Sequence, residues 1–410
     1  MTGKIFFTVS DRKVIVILDA FRWDYVSKSQ TPFLYNFKEQ NLYIQKLVAS
    51  PGFCERSEIF TGLAPNQSGN FLAYGLKNNV KSNNNTFFFK TLFLIESFVK
   101  KWFYFDLFYK GRKVSSQKIV RFFFSLLFKK SLRGSQLIPY DFLSFFELTE
   151  DKYSMTTFSQ YPFRTFFDSL HTNKIKFSTK VFTNLNSSSD LDDSARIKLL
   201  ENIVADKSIT YSFLYISEID FLGHKLGPKE LLNSKKLCIF DKKIRNLYEK
   251  LKGIDNNLKF IFIGDHGMQD VKQDFDIESK IVSYVNRHNL KRGTDVIWFI
   301  DSNYFRIWFF RNKKFHLTCF QNEISYKKYG VYLGLDKLAE LNSDSIKYGD
   351  LLWYAHKEVL IYPNFFNSTK LKGMHGYYSD SQDLFGMAII ETNKRDLIQK
   401  LPINEIKNYF

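Results

Sequence analysis

Five short runs of β-branched and aromatic residues recur along the chain and close on polar residues or proline. They are VIVILD (14–19), TYSFLYISEID (210–220), KFIFIGD (259–265), DVIWFID (295–301) and VLIYP (359–363). Apolar runs of this length read as strands buried on both faces, as in a parallel sheet. Between them the spacing turns helical, most clearly over 194–205 and 235–252. Strand and helix in alternation predict an α/β fold, a three-layer α/β/α arrangement around a largely parallel sheet. No repeat of fixed period interrupts it, and all 410 residues read as one catalytic domain. The stretch 86–150 breaks the alternation and reads as a helical insertion, basic and rich in aromatics.

Composition narrows the class. Hydrophobic residues make up 44% and charged residues 25%, which excludes a disordered or fibrous chain. The net charge of +17 invites a nucleic-acid partner until its position is considered. Between Thr91 and Tyr140 there are ten Lys/Arg against two acids, with thirteen aromatics, so nearly half of the surplus lies in 50 residues. That segment fits a lid packed on the core, or an amphipathic element meeting an anionic membrane surface. Base stacking on its aromatics is the weakest reading, because phenylalanine recurs along the whole chain. Three cysteines are too few for a disulfide framework and suit a reducing compartment. No signal peptide stands out, and no apolar window reaches the ~18 residues of a membrane span. The expectation is a cytoplasmic protein, touching a membrane at most from its surface.

The candidate chemistry lies at strand ends. Three runs end in Asp19, Asp220 and Asp265, and ligands of open α/β sheets bind beyond those ends. One terminal aspartate is commonplace, since Asp favours turns and caps. Here His224 follows Asp220 by four residues, His266 follows Asp265 directly, and His375 sits between glycines in Gly373–Tyr377. Three aspartates and three histidines are donors enough for two ions such as zinc. Two metals close together clamp a phosphoryl centre. The other histidines (His171, His288, His316, His356) fit no motif and read as core or surface residues, and Arg22 and Asp24 as braces of the first turn.

Taken in order, LDAFRWD, FTGLAPNQSG, DFLGHKLGP, GDHGM and MHGY resemble the alkaline phosphatase superfamily, and within it the type I phosphodiesterase/nucleotide pyrophosphatase family. DFLGHKLGP is also similar to the ethanolamine phosphate transferases of glycolipid anchors. The resemblance runs over 14–80 and 150–390. It implies one metal site made of Asp220, His224 and His375, and another of Asp19, Asp265 and His266 together with the family's nucleophile. The cofactors it implies are two divalent ions, zinc above all. The function it implies is hydrolysis of a phosphodiester or pyrophosphate in a small molecule or one linked to lipid or glycan. A membrane-associated transferase of phosphoethanolamine or glycerophosphate groups is the alternative.

The chain departs from the family at one place. The family's nucleophile is a Thr or Ser nine residues before a Thr-Gly pair, here Thr61-Gly62, and that position is Gly52. Cys54 replaces it only if the following helix starts late, in which case a thiolate at the helix start is reactive; otherwise Cys54 is a small buried residue. Arg56, four after Gly52, is a candidate anion contact, as in related sulfatases; the plainer expectation is a surface ion pair with Glu55 or Glu58. Without a side-chain nucleophile, activated water attacks directly, or the chain binds metal and has lost catalysis.

Overall fold

The computed structural model describes residues 11–77, 106–109, 112–115, 137–182, 191–334, 337 and 347–410. Strand β1 (Lys13–Leu18) is buried at every position. Its side chains alternate, as strand geometry requires: Val14, Val16 and Leu18 enter one apolar cluster, Ile15 and Ile17 another. Both faces therefore need cover, and this is why the run is continuously apolar.

Around β1 lie β2 (Leu42–Val48), β3 (Phe177–Val181), β4 (Tyr211–Ile216), β5 (Lys259–Gly264), β6 (Gly386–Ile390) and β7 (Asp396–Pro402), in the order β7-β2-β6-β5-β1-β4-β3. Only β6 runs against its neighbours; the other pairings are parallel. One face is covered by α1 (Pro32–Lys38), α4 (Asp193–Ala205), α5 (Glu218–Leu226) and α6 (Lys236–Ile254). The other is covered by α2 (Glu55–Thr61), α3 (Phe166–Thr172) and a turn at Ile403–Tyr409. Helix α6 shows the sequence logic: Leu237, Phe240, Ile244, Leu247 and Leu251 recur every three or four residues and all face the sheet. Each such side chain stabilises the fold by roughly 1.5–3 kcal/mol. The expected three-layer α/β/α architecture is the one observed.

Two of the five apolar runs lie elsewhere. DVIWFID forms a strand at Val296–Ile300, in a separate four-stranded antiparallel sheet with Tyr304–Phe309, Leu351–Ala355 and Gly330–Tyr332. The three residues between the first two strands are too few for a parallel crossover, so a hairpin results. VLIYP supplies a short strand, Val359–Ile361, beside Gln273–Phe275. A buried apolar run reports cover on both faces and says nothing of its partner's direction.

This second sheet holds a buried ion pair. Arg306 and Asp301 are both 0% exposed and 3.0 Å apart, with the Arg306 guanidinium 4.6 Å from the Phe299 ring centre. Asp301→Ala leaves that cation unpaired in the core and is expected to cost about 3–5 kcal/mol, read as a lower urea midpoint.

Of the stretch 86–150, Asp106–Tyr109 and Arg112–Ser115 form a hairpin. Within 137–150, Ile138, Phe142, Phe145 and Phe146 are buried in the same cluster as Trp298 and Trp308. The remainder, including the basic aromatic run at 120–130 on which the membrane reading rests, lies outside the described residues. Among the described residues, no helix is long and apolar enough to cross a membrane.

Candidate metal centre

Parallel pairing in register sets β1 and β5 side by side, so Asp19 and Asp265 leave neighbouring strands at the same edge. Backbone N–H groups of Ala20 and His266 donate to Asp265 Oδ1, at 3.1 and 2.9 Å, and fix that carboxylate. Gly264 and Gly267 allow the crowding: a Cβ at either would lie 2.0 Å from a carbonyl oxygen, of Phe21 or Asp383. Asp220 is placed differently from the expectation of a strand end. Strand β4 stops at Ile216, and Asp220 and His224 stand one turn apart on α5, sharing a helix face. His375 arrives through a two-residue strand, Gly373–Met374, paired with Gln269–Asp270 just after His266.

The six residues gather into two groups of possible ligands, Asp220–His224–His375 and Asp19–Asp265–His266, with candidate atoms in each within 4.8 Å of one another. Their hydrogen bonds suit a cation. His224 Nδ1 lies 2.8 Å from Gly373 O, and His266 Nδ1 lies 2.9 Å from Gly267 O. A carbonyl only accepts, so each Nδ1 carries a proton and the neutral ring keeps its lone pair on Nε2. Those Nε2 atoms face carboxylate oxygens, His224 to Asp220 at 3.1 Å and His266 to Asp19 at 3.3 Å. Electron pairs facing at such distances need a proton or a metal between them. His375 Nδ1 is a buried donor or acceptor with no hydrogen-bond partner among the described residues. The His266 and His375 rings stack with centres 4.0 Å apart, joining the two groups.

Electrostatics point the same way. Burial, then Asp220 and Asp265, push Asp19 up to about 7. Tyr215 Oη donates to its Oδ2 at 2.5 Å. Burial opposes charge on His266, yet Asp265, Asp19 and Glu55 outweigh it and raise its pKa well above the ordinary value. Burial likewise opposes a charged Asp220, and His224 and His375 overcome it to hold that carboxyl below the usual range. Burial, then His266, pushes His375 well down. Two buried carboxylates and a half-buried third within reach of imidazoles make a proton-hungry cluster, and divalent ions compete with protons for its donor atoms.

The nucleophile position is closed. Gly52 has φ +106°, and a Cβ there would lie 2.1 Å from Phe71 O. Helix α2 does begin late, with Cys54 as its N-cap, but Cys54 is buried against Thr149, Sγ to Oγ1 3.7 Å. Burial and then Glu150 raise its thiol pKa, the reverse of what a nucleophile needs. Cys54 is also absent from the walls of the central cavity, so its expected role is corrected to that of a buried small residue. Arg56 does line that cavity, and its ion pairs run to Glu150 (2.5 Å) and Asp151 (3.2 Å) rather than to Glu55 or Glu58.

The cavity, about 160 Å³, is bounded by Asp19, Asp220, Asp265, His266 and His375, and also by Phe53, Glu55, Arg56 and Tyr215. Sequence reasoning missed Glu55 and Tyr215. Tyr215 sits within an apolar strand run and carries no motif. Glu55 and His266 also line a neighbouring cavity of about 620 Å³, with Tyr354, Tyr378, Lys337 and Lys400 on its walls. The remaining histidines lie apart from the two candidate ligand groups: His171 bonds Thr156 O, His316 bonds Tyr284, His356 bonds Lys327 O, and His288 lies against Glu323. Arg22 braces the first turn through Asp24, Asp383 and Met268 O.

The sequence pattern of the family described as type I phosphodiesterase / nucleotide pyrophosphatase matches residues 13–377. Over 101 residues the chain is 37% identical to bis(5'-adenosyl)-triphosphatase ENPP4 of Pongo abelii, covering 23% of this chain and 21% of that protein. Identity to the Homo sapiens protein of the same name is 36%, with the same coverage. The match thus spans about a fifth of those relatives' length. In three dimensions the chain is similar to murine ectonucleotide pyrophosphatase/phosphodiesterase 5, solved as an inactive variant with AMP: TM-score 0.63, 14% identity, covering 97% of this chain and 93% of that one. The human counterpart gives 0.60 and 14%, covering 97% and 92%. At this identity the likeness is one of fold.

Proposed function

The chain belongs to the type I phosphodiesterase/nucleotide pyrophosphatase family, and from that premise we propose that it is a two-metal hydrolase of a phosphodiester or pyrophosphate bond. The observation that carries this reading is the pair of adjoining ligand groups at one cavity, each with two kinds of donor. Mixed imidazole and carboxylate donors suit zinc. When bound, the two ions supply positive charge for the phosphoryl oxygens and the departing oxygen. The chain's own part is geometry. Backbone N–H groups fix Asp265, Tyr215 orients Asp19, and carbonyls of Gly373 and Gly267 set the rings of His224 and His266. Arg56, held by Glu150 and Asp151, adds a fixed cation at the wall. The larger cavity next door, with tyrosines and lysines on its walls, supports a nucleotide-like group on one side of the bond. Free thiols at Cys54, Cys238 and Cys319 support a reducing, cytoplasmic setting.

The test is hydrolysis of bis(p-nitrophenyl) phosphate, with a dinucleoside triphosphate as second substrate. Stripping the protein with a chelator is expected to abolish turnover, and zinc to restore it, followed as p-nitrophenolate release. Inactivity toward both substrates with both sites filled would overturn the reading.

A further inference from the structure

We propose that Glu55 is a further metal ligand, set between the two ions, and that water attacks phosphorus directly because no side chain stands where the family's nucleophile belongs. The proposal rests on the two-metal reading above. A carboxylate oxygen of Glu55 lies within 4.8 Å of candidate nitrogens of both His266 and His375. These histidines belong to different ligand groups, so Glu55 adjoins both at once. Its neighbours on α2 are engaged elsewhere: Glu58 accepts from Ser50, and Arg56 pairs with Glu150 and Asp151. No ion pair engages the Glu55 carboxylate among the described residues.

Gly52 stands three residues earlier. Its φ of +106° and the Phe71 carbonyl exclude a side chain, so no hydroxyl can be supplied from that position. A carboxylate from the first turn of α2 thus reaches both candidate ligand groups, in a chain that offers no hydroxyl at position 52. With its carboxylate engaged as a ligand, Glu55 would hold metal rather than attack phosphorus, so the chemistry passes to water. The water oxygen bonds to phosphorus in line as the bond to the leaving oxygen breaks, its electron pair staying on that oxygen. One water proton ends on the leaving group and the other stays on the phosphate product. A single displacement inverts phosphorus and leaves no phosphorylated protein to pass its group to another alcohol. The site then hydrolyses and does not transfer.

Two readouts test this. Zinc affinity of the wild type and Glu55→Gln, measured by competition with a chromophoric chelator, is expected to fall at least about 10–100-fold in the variant, the scale already seen on losing a residue that only orients a ligand. Glu55→Asp is expected to recover part of it. Hydrolysis of a phosphorothioate diester of defined configuration in isotopically labelled water is expected to proceed with inversion, and added ethanol to yield no ethyl ester. Equal zinc affinity in Glu55→Gln, or retention with ethanolysis, would overturn the proposal. If the wild type binds two ions and hydrolyses nothing, the hydrolase reading and direct attack by water fall, while the affinity comparison still decides the place of Glu55.

Discussion

Asp265→Asn is expected to lower turnover of bis(p-nitrophenyl) phosphate on the order of a thousandfold or more, the scale of removing a preorganised electrostatic group from a catalytic site. The substitution keeps the shape. Oδ1 still accepts from Ala20 and His266, so the turn after β5 holds. What changes is the charge beside Asp19 and His266, in the group whose candidate atoms lie within 4.8 Å of one another. Losing one of two carboxylates there weakens the hold on one ion. Kinetics at saturating zinc, beside a urea denaturation curve close to that of the wild type, separates this from unfolding. Turnover within a few-fold of the wild type would remove Asp265 from the centre.

Gly52→Thr, the change that writes the family's hydroxyl back into the sequence, is expected to destabilise the protein rather than to help it. A non-glycine residue at φ +106° costs roughly 1–3 kcal/mol. In addition, the new Cβ falls 2.1 Å from Phe71 O and 2.8 Å from Phe71 Cδ2. Phe71 is fully buried, and its carbonyl also accepts from Phe53 N, so it has no free space to retreat into. Gly52 N–H donates to Gly376 O, next to His375, so the strain passes straight to a candidate metal ligand. A loss of more than about 3 kcal/mol in urea denaturation, with no gain in turnover, is the expected result. A variant of wild-type stability that forms a covalent phosphothreonine would contradict both the closed position and direct attack by water.

The sequence made legible what depends on local pattern. Strands β1, β4 and β5 stood out because a strand covered on both faces has no polar alternation. Asp19 and Asp265 could be placed because they end such strands directly. Asp220 and His224 were identified without their element: the apolar run continues from β4 into the first turn of α5, and only the break at Ser217 separates strand from helix. Contacts at long separation left no local trace. Arg56 meets Glu150 across a gap that includes the whole basic stretch, so a nearer partner looked sufficient. Glu55, in a run of charged residues, looks like any solvated first-turn glutamate. Its place beside His266 and His375 depends on how α2 sits over the sheet edge, which no spacing reveals. For Cys54 the sequence leaves a reactive thiolate and a small buried residue equally open, and its burial against Thr149 favours the second.

The two adjoining groups of side chains are proposed to hold two ions for phosphodiester hydrolysis. Zinc titration of the chelator-stripped protein, with bound metal counted by native mass spectrometry and hydrolysis of bis(p-nitrophenyl) phosphate followed at each step, tests it directly. Two ions per chain are predicted, with turnover rising as the second site fills and levelling off at two. Full turnover at one ion or none, or no turnover with two ions bound, would contradict it.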